Sequence, residues 1–256
     1  MSYSYKCLLV HHIGDGVFHV QLNRPKQLNA INPEMWEEIE DVFRKLDTDS
    51  DCRVVIFSGN GRAFTAGIDL KSFSSNLTDL MAKDHDVARK GREILRLAEK
   101  MAVAFNLIEK CTKPVIAAIH GYCIVRELAV GFAADQGTLN RLPKIVGNHS
   151  WMHEIAMTAR DFYGPEALQQ GYVSRLFDTQ EAMMAAAKET ANAIATSSPV
   201  AVQGTKIVLN YARDHSVDES LRYVAIWNMS QLQTEDMAQS AVAVMTKGPK
   251  PIYAKL

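Results

Sequence analysis

The sequence predicts an α/β fold with an α/β core over residues 1–137 and a helical C-terminal region over residues 138–256. Two observations predict it. Short β-branched runs alternate with helix-period apolar patterns in the first half, which is typical of βαβ units. From Thr138 onward, nearly every segment has helical periodicity. Because no linker rich in Pro, Ser or Gly separates the two regions, we expect one continuous unit.

Strand and helix signals follow one another in the first half. The turn Gly14-Asp15-Gly16 lies between two strands, which is typical of an antiparallel hairpin. Asn32 before Pro33 marks a helix start, because Asn is a favoured N-cap and Pro suits the first turn. Gly91 is the predicted weak point of a long helix. The predicted elements are strands Tyr5–Val10, Val17–Leu22, Arg53–Ser58 and Pro114–Ile119, a helix opening at Asn32, and a helix over Thr78–Lys110.

The C-terminal region contains one strand-like segment, Val173–Phe177, among helices. A helical layer of this kind often packs against a neighbouring subunit, so we expect an oligomer. The predicted helices are Thr138–Val146, Ser150–Thr158, Pro165–Gln170, Thr179–Thr196, Pro199–Tyr211, and Val217 to about Lys247.

Composition excludes several classes of protein. The formal net charge of -1 provides no basic field for nucleic acid and no polybasic membrane patch. No apolar run is long enough to span a bilayer. The 4 cysteines are widely and irregularly spaced, which suits reduced thiols better than a disulfide framework or a zinc site. Residues 1–5 lack a signal-peptide or transit-peptide pattern, so we expect the mature chain to begin there.

The last three residues resemble a targeting signal. Ala254-Lys255-Leu256 is similar to the C-terminal Ser-Lys-Leu peroxisomal address, with one small residue in place of another. We therefore expect a peroxisomal import receptor as a partner. A chance tripeptide is the alternative interpretation, and the mitochondrion is the alternative location.

The segment Ala63-Phe64-Thr65-Ala66-Gly67-Ile68-Asp69-Leu70 follows a predicted buried strand. Its small residues let backbone N–H groups point at a ligand without obstruction by side chains. In isolation it also fits an ordinary loop. Four further stretches accompany it in a fixed order along the chain: Leu22–Ala30 before it, then Lys113–Gly121, Gly137–Pro143 and Ala167–Val173 after it. Together the five motifs resemble the crotonase (enoyl-CoA hydratase/isomerase) superfamily, from about Val17 to the C-terminus.

The resemblance implies a fold, a ligand and a set of site residues. The family fold is a spiral of ββα turns in trimers or hexamers, and the ligand is an acyl-CoA thioester. The backbone N–H of Ile68 would be one donor of the oxyanion hole, where fixed dipoles stabilise an enolate. The segment Ala66, Gly67, Ile68, Asp69 and Leu70 would line the path of CoA, and Arg24 and Lys26 would contact its phosphates. No metal and no cofactor beyond the CoA of the substrate is implied, since the chemistry is proton transfer.

Two carboxylates distinguish the branches of the family. Glu127 and Asp135 flank an apolar stretch, and alone they would suit a surface Glu and an Asp that caps the helix near Thr138. The stretch from Val125 to Thr138, however, resembles the dienoyl-CoA isomerase branch, whereas hydratases carry a small residue in place of Asp135. By this resemblance, Glu127 takes the proton from C2 of a 3,5-dienoyl-CoA and Asp135 delivers one at C6.

One family segment is missing from this chain. Val125 follows Ile124 directly in this chain. Between these two positions the family has a glycine triplet, an acidic residue, a helix and a strand. About twenty residues, or one helix and one strand of ordinary size, are absent. The second oxyanion-hole donor lies in that segment, and losing one donor typically costs about 10²–10³ in rate. A splicing or gene-model artefact and a real inactive relative both remain open.

Three functions follow as hypotheses. The first is isomerisation of 3,5-dienoyl-CoA to 2,4-dienoyl-CoA in fatty-acid β-oxidation. The second is a catalytically impaired crotonase-like subunit that binds acyl-CoA or partners without turnover. The third is an enoyl-CoA hydratase, against which Asp135 argues.

Overall fold

A computed structural model describes residues 2–123, 128, 131–134 and 136–256 of the chain. Within these residues, four strands form one mixed sheet in the order β1-β2-β3-β4. The strands are β1 (Leu8–Gly14), β2 (Val17–Leu22), β3 (Val54–Gly59) and β4 (Val115–Ala118). Strands β1 and β2 are antiparallel, and β2, β3 and β4 are mutually parallel. The predicted hairpin and parallel core are therefore confirmed.

The turn between β1 and β2 requires glycine. Gly16 has φ +78°, and a Cβ there would lie 2.8 Å from the Arg53 side chain. The Gly16 carbonyl also accepts hydrogen bonds from the N–H groups of Arg53 and Val54, at 2.8 and 3.1 Å. The turn thus fixes the start of β3 as well as the hairpin.

The described helices comprise α1 to α3 in the core and α4 to α10 in the C-terminal region. They are α1 (Pro33–Thr48), α2 (Leu70–Ala82), α3 (Val87–Lys110), α4 (Thr138–Ile145), α5 (His149–Thr158), α6 (Gly164–Gln169), α7 (Gln180–Ala195), α8 (Pro199–Ala212), α9 (Val217–Gln231) and α10 (Glu235–Thr246).

Each face of the sheet is covered by a different helical layer. Successive residues of a strand point to opposite faces, and β3 follows this rule. Val55 and Phe57 pack with the apolar side of α1, whereas Val54 and Ile56 pack with alanines of α7. The α1 side chains in this cluster recur at helical spacing, and they are Met35, Ile39, Val42, Phe43 and Leu46. The core therefore lies on both sides of the parallel strands.

Ion pairs and buried hydrogen bonds attach the C-terminal helices to the core. Glu109, near the end of α3, accepts from Arg141 of α4 at 2.6 Å and also from Arg213. Burial acts to raise the pKa of Glu109, but the two guanidinium groups outweigh it and lower the pKa. Lys206 of α8 donates to the Lys113 carbonyl at 2.8 Å. These contacts hold α4 and α8 against the end of α3.

Three element predictions were wrong. The helix over residues 78–110 is two helices that separate at residues 83–86, not at Gly91, because Asp86 caps α3 by accepting from the Arg89 N–H. The helix after Val217 is also divided, because Thr234 caps α10. Val173–Phe177 is not a strand: the N–H groups of Tyr172 and Val173 both donate to the Ala167 carbonyl, which folds the chain back onto α6.

Candidate active site

Two loops meet at the carboxyl ends of the parallel strands β2 and β3. The loop after β2 carries the segment Leu22–Ala30, and the loop after β3 carries Ala63–Leu70. Backbone hydrogen bonds join them: Ala66 N–H donates to Leu28 O, and Ile31 N–H donates to Gly67 O, both at 2.8 Å. The structure thus brings together the first two motifs. Carboxyl ends of parallel strands are where ligands bind in many α/β folds.

Asn29 holds the two loops together. It is fully buried, and its side-chain amide donates to Asn60 O at 2.9 Å and to Ala63 O at 2.8 Å. Its side-chain oxygen accepts from the Arg24 N–H at 2.8 Å, and its carbonyl accepts from the Thr65 hydroxyl. Its φ of 56° lies in the left-handed region, which Asn tolerates better than most residues. The sequence interpretation missed this role, although Asn29 belongs to the first motif.

The third motif completes the platform. Phe64 N–H donates to His120 O at 2.8 Å, and Thr65 N–H donates to Tyr122 O at 3.0 Å. Gly121 has φ +59°, and a Cβ there would lie 2.2 Å from Arg62 O, so the close approach requires glycine. Three separate stretches of the sequence therefore support one loop.

The backbone N–H of Ile68 belongs to this platform and has no partner among the described residues. The neighbouring donors are all occupied: Ala66 N–H by Leu28 O, Gly67 N–H by the Thr65 hydroxyl at 3.1 Å, and Asp69 N–H by Ile31 O at 3.0 Å. Ile68 N–H makes no hydrogen bond to any residue that the structure describes. A backbone donor held in place by bonded neighbours is the arrangement that stabilises a developing oxyanion, because it needs no reorganisation.

Asp69 and Arg24 form an ion pair beside Ile68. Their atoms Oδ2 and Nη1 are 3.0 Å apart, and both side chains are less than one-fifth exposed. Asp69 also caps α2 by accepting from the Ser72 N–H, and Arg24 donates to Ala30 O as well. Burial acts to raise the pKa of Asp69, but the hydrogen bonds from Ser72 and Arg24 outweigh it and lower the pKa. The Arg24 guanidinium is thus engaged within the loop, and its role at the CoA phosphates stays a prediction.

The remaining predicted CoA-lining residues differ in exposure. Lys26 is exposed and makes no ion pair with any described residue. Leu70, the first residue of α2, is 56% exposed, whereas Ala66 is half-buried. Gly67 has φ +84°, which glycine adopts readily. Their roles in binding CoA stay predictions.

Glu127 and Asp135 lie outside the described residues. Described residues three and four positions away from them contact the Ile68 loop and α2. Cys123 forms a parallel bridge with Thr65, and the Phe132 ring stacks on Phe73 of α2 with centroids 6.1 Å apart. Catalytic roles for the two carboxylates therefore stay predictions.

Across residues 2–123, 128, 131–134 and 136–256, no group of three or more His, Cys, Asp or Glu side chains is placed to hold a metal ion. No helix in the same ranges is long and apolar enough to cross a membrane.

Replacement of Asn29 tests its role in stability. Asn29→Ala should lower the free energy of unfolding by about 3 kcal/mol, because it leaves the buried Ala63 O and the partly buried Arg24 N–H and Asn60 O without this partner, at up to about 1–3 kcal/mol each. Asn29→Gly should be about 1 kcal/mol less damaging than Asn29→Ala, since glycine relieves the left-handed strain. Urea unfolding measures both, with exposed Asn76→Ala as a control that shifts stability by less than about 0.5 kcal/mol. An Asn29→Ala variant as stable as the control would contradict the role.

Comparison with known proteins identifies relatives along nearly the whole chain. A dienoyl-CoA isomerase named as mitochondrial from Homo sapiens is 47% identical over 264 aligned positions, which cover 94% of this chain and 80% of that protein. One named as peroxisomal from Arabidopsis thaliana is 38% identical over 277 positions, covering 99% of each chain. Both alignments have more positions than the 256 residues of this chain, so these relatives contain residues that this chain lacks.

Solved structures share the fold. The enoyl-CoA hydratase of Bacillus anthracis superimposes with a TM-score of 0.85 at 21% identity, covering 97% of this chain and 99% of that chain. A structure described as a putative enoyl-CoA hydratase from Streptomyces coelicolor has a TM-score of 0.84 at 24% identity, covering 99% and 96%. The predicted crotonase-type fold is thus confirmed.

The family model described as Enoyl-CoA hydratase/isomerase matches in two pieces, residues 12–126 and 124–251. The split falls where the sequence predicts the missing segment. Together the two pieces cover most of the sequence, including the platform around Ile68. The chain belongs to the enoyl-CoA hydratase/isomerase family.

Proposed function

We propose that this protein isomerises 3,5-dienoyl-CoA to 2,4-dienoyl-CoA in fatty-acid β-oxidation. Its relatives from Homo sapiens and Arabidopsis thaliana carry the name of that activity at 47% and 38% identity. A short-chain-enoyl-CoA hydratase from Clostridium acetobutylicum is more distant, at 29% identity over 89% of this chain. The similarity therefore favours the isomerase over the hydratase.

The Ile68 N–H, which donates to no described residue, is the observation that carries this proposal. Loss of a proton from C2 moves negative charge onto the thioester oxygen, and a fixed donor stabilises that charge. In the proposed reaction, Glu127 takes the C2 proton and Asp135 gives a proton to C6. The double bonds at C3 and C5 move to C2 and C4, and no atom other than hydrogen is transferred. Proton transfer by each positioned carboxylate contributes about 10²–10⁴ in rate.

A second candidate function rests on the interrupted family match. The matched pieces meet at residues 124–126, and the predicted missing segment would carry the second oxyanion donor. A chain without that donor would still have the platform around Ile68. The alternative is therefore a subunit that binds acyl-CoA without turnover.

Absorbance of the conjugated product tests the proposal. Wild-type protein should convert 3,5-octadienoyl-CoA into the 2,4-dienoyl thioester, and Glu127→Gln and Asp135→Asn should each lower the rate by about 10²–10⁴. Exposed Glu99→Gln is the control and should keep the wild-type rate. In D₂O, Asp135→Asn should still exchange the C2 hydrogen, because Glu127 remains, whereas Glu127→Gln should lose this exchange.

Two results would contradict the isomerase, and a third would contradict only the roles of its two carboxylates. A folded wild-type protein that binds acyl-CoA without conversion supports the non-catalytic subunit. Hydration of crotonyl-CoA without dienoyl conversion supports the hydratase. Full activity in both carboxylate variants would remove Glu127 and Asp135 from the mechanism.

We further propose that the chain assembles into trimers or hexamers. Large apolar side chains are exposed along α9 and α10, among them Ile226, Met229, Val244 and Met245. Exposed large apolar side chains in this number suit a subunit contact, where they would be buried. Native mass spectrometry measures the state, and a stable monomer at micromolar concentration would contradict it.

We also propose that Ala254-Lys255-Leu256 directs import into the peroxisome, with the mitochondrion as the alternative. The three residues are exposed; Arg53 donates to Ala254 O at 3.3 Å, and Lys255 pairs with Asp51. An exposed tripeptide is accessible to a receptor. The relatives support either location, since one is named peroxisomal and another mitochondrial.

A fluorescent protein fused at the N-terminus tests this location. The fusion should colocalise with a peroxisomal marker, and removal of residues 254–256 should make it diffuse. Exposed Lys247→Gln is the control and should not change the location. A mitochondrial signal from the intact chain would contradict the proposal.

A further inference from the structure

The ring of His120, in the third motif, contacts the loop after β3. Its Nε2 atom lies 2.8 Å from the carbonyl oxygen of Gly61. A carbonyl oxygen only accepts hydrogen bonds, so Nε2 carries the proton and donates, and Nδ1 is the unprotonated nitrogen of the neutral ring. Nδ1 is buried and has no hydrogen-bond partner among the described residues. The bond to Gly61 O is therefore the polar contact through which this ring acts.

His120 binds the loop after β3 at two points. Its side chain donates to Gly61 O, and its main-chain carbonyl accepts from the Phe64 N–H at 2.8 Å. Between these points the loop packs closely against Gly121, where a Cβ would lie 2.2 Å from Arg62 O. A shift of residues 61–64 would therefore break both bonds to His120 at once.

Asn29 binds the same part of the loop from the opposite side. Its amide donates to the carbonyls of Asn60 and Ala63. Because β3 lies between β2 and β4, Asn29 reaches the loop from the β2 side and His120 from the β4 side. The carbonyls of Asn60, Gly61 and Ala63 thus all accept from side chains. Two side chains, rather than a strand ladder, fix the loop beyond the end of β3.

We propose that His120 is a positioning residue for the Ile68 N–H. The inference rests on the proposed function, because it takes negative charge to develop on a thioester oxygen at that N–H. Residues 60–69, all of which the structure describes, contain no helix or strand that could hold Ile68 independently of the start of the loop. The side chain of His120 acts through Gly61 and not on the substrate.

Loss of the Nε2 donor should affect turnover more than substrate binding. The oxyanion charge develops only in the transition state, so a misplaced donor lowers kcat and leaves KM nearly unchanged. A displacement of about 1 Å can cost about 10²-fold in rate. We expect the kcat for 3,5-octadienoyl-CoA to fall by about 10- to 100-fold when the bond to Gly61 O is lost.

Two variants separate the Nε2 donor from the rest of the ring. His120→Gln keeps an N–H donor at about the distance of Nε2 from the main chain, and it should keep kcat near the wild-type value. His120→Asn places its amide at about the distance of Nδ1, too short to reach Gly61 O, and it should lower kcat. Exposed His149→Asn is the control and should change neither kcat nor KM. Thermal melting confirms that each protein is folded.

Hydrogen exchange of a peptide that covers residues 64–69 provides a measurement that requires no turnover. The N–H groups of Phe64, Thr65, Ala66 and Asp69 are hydrogen-bonded in the wild-type protein. They should exchange faster in His120→Asn, because the start of the loop is released. They should exchange at the wild-type rate in His120→Gln and in His149→Asn.

The outcomes separate this inference from the proposed function. A wild-type protein without turnover contradicts the isomerase, and the exchange rates then still test His120. Exchange that is unchanged in His120→Asn, or that is as fast in His120→Gln as in His120→Asn, overturns the positioning role. Faster exchange confined to His120→Asn supports it. If His120→Asn does not fold, His120→Gln decides alone: wild-type exchange supports the role, and faster exchange overturns it.

Discussion

The side chain of Asn29 is the interaction on which the site depends. Its amide reaches two carbonyls, Asn60 O and Ala63 O, that lie beyond β3, and its oxygen accepts from Arg24 before it in the chain. Because it is fully buried, each of these bonds replaces a bond to water that the folded chain no longer has. The loop after β2 is thereby fastened to the loop after β3. The position of Ile68 follows from that attachment.

The attachment explains how one N–H can remain unpaired. Buried backbone donors are nearly always satisfied, and around Ile68 they are, by Leu28 O, the Thr65 hydroxyl and Ile31 O. Those bonds orient the peptide before Ile68 without using its N–H. Asp69 adds a cap on α2 and an ion pair with Arg24, so the loop cannot rotate the donor away. A developing negative charge would meet a donor already in place.

The sequence revealed local features better than long-range ones. Asn32 was predicted as the cap of α1, and its side chain does accept from Met35 N–H at 3.0 Å, because capping depends on residues three apart. The boundary between α2 and α3 was missed, since Asp86 interrupts an apolar pattern that continues on both sides. Val173–Phe177 has strand-like composition, yet whether a strand forms depends on a partner that composition does not specify.

The site shows the same difference between local and long-range features. Ile68 was recognised from a motif, and the structure leaves its N–H unpaired among the described residues. The role of Asn29 was missed because its partners lie 31 and 34 residues away. The ion pair of Arg24 with Asp69 joins residues 45 apart, and no local pattern of the sequence indicates it. Contacts between residues this far apart in the sequence depend on the fold, and the pattern of a single sequence does not reveal them.

The N–H of Ile68 can be removed without changing its side chain. Replacing the Gly67–Ile68 amide by an ester deletes this donor, and no hydrogen bond to a described residue is lost with it. The measurement is kcat/KM for 3,5-octadienoyl-CoA, compared with the same amide-to-ester change at Lys71 on the outside of α2. We expect the ester at Ile68 to lower kcat/KM by about 10²–10³ and the ester at Lys71 to leave it nearly unchanged. Equal rates in the two proteins would contradict the account, because the thioester oxygen would then not be bound at Ile68.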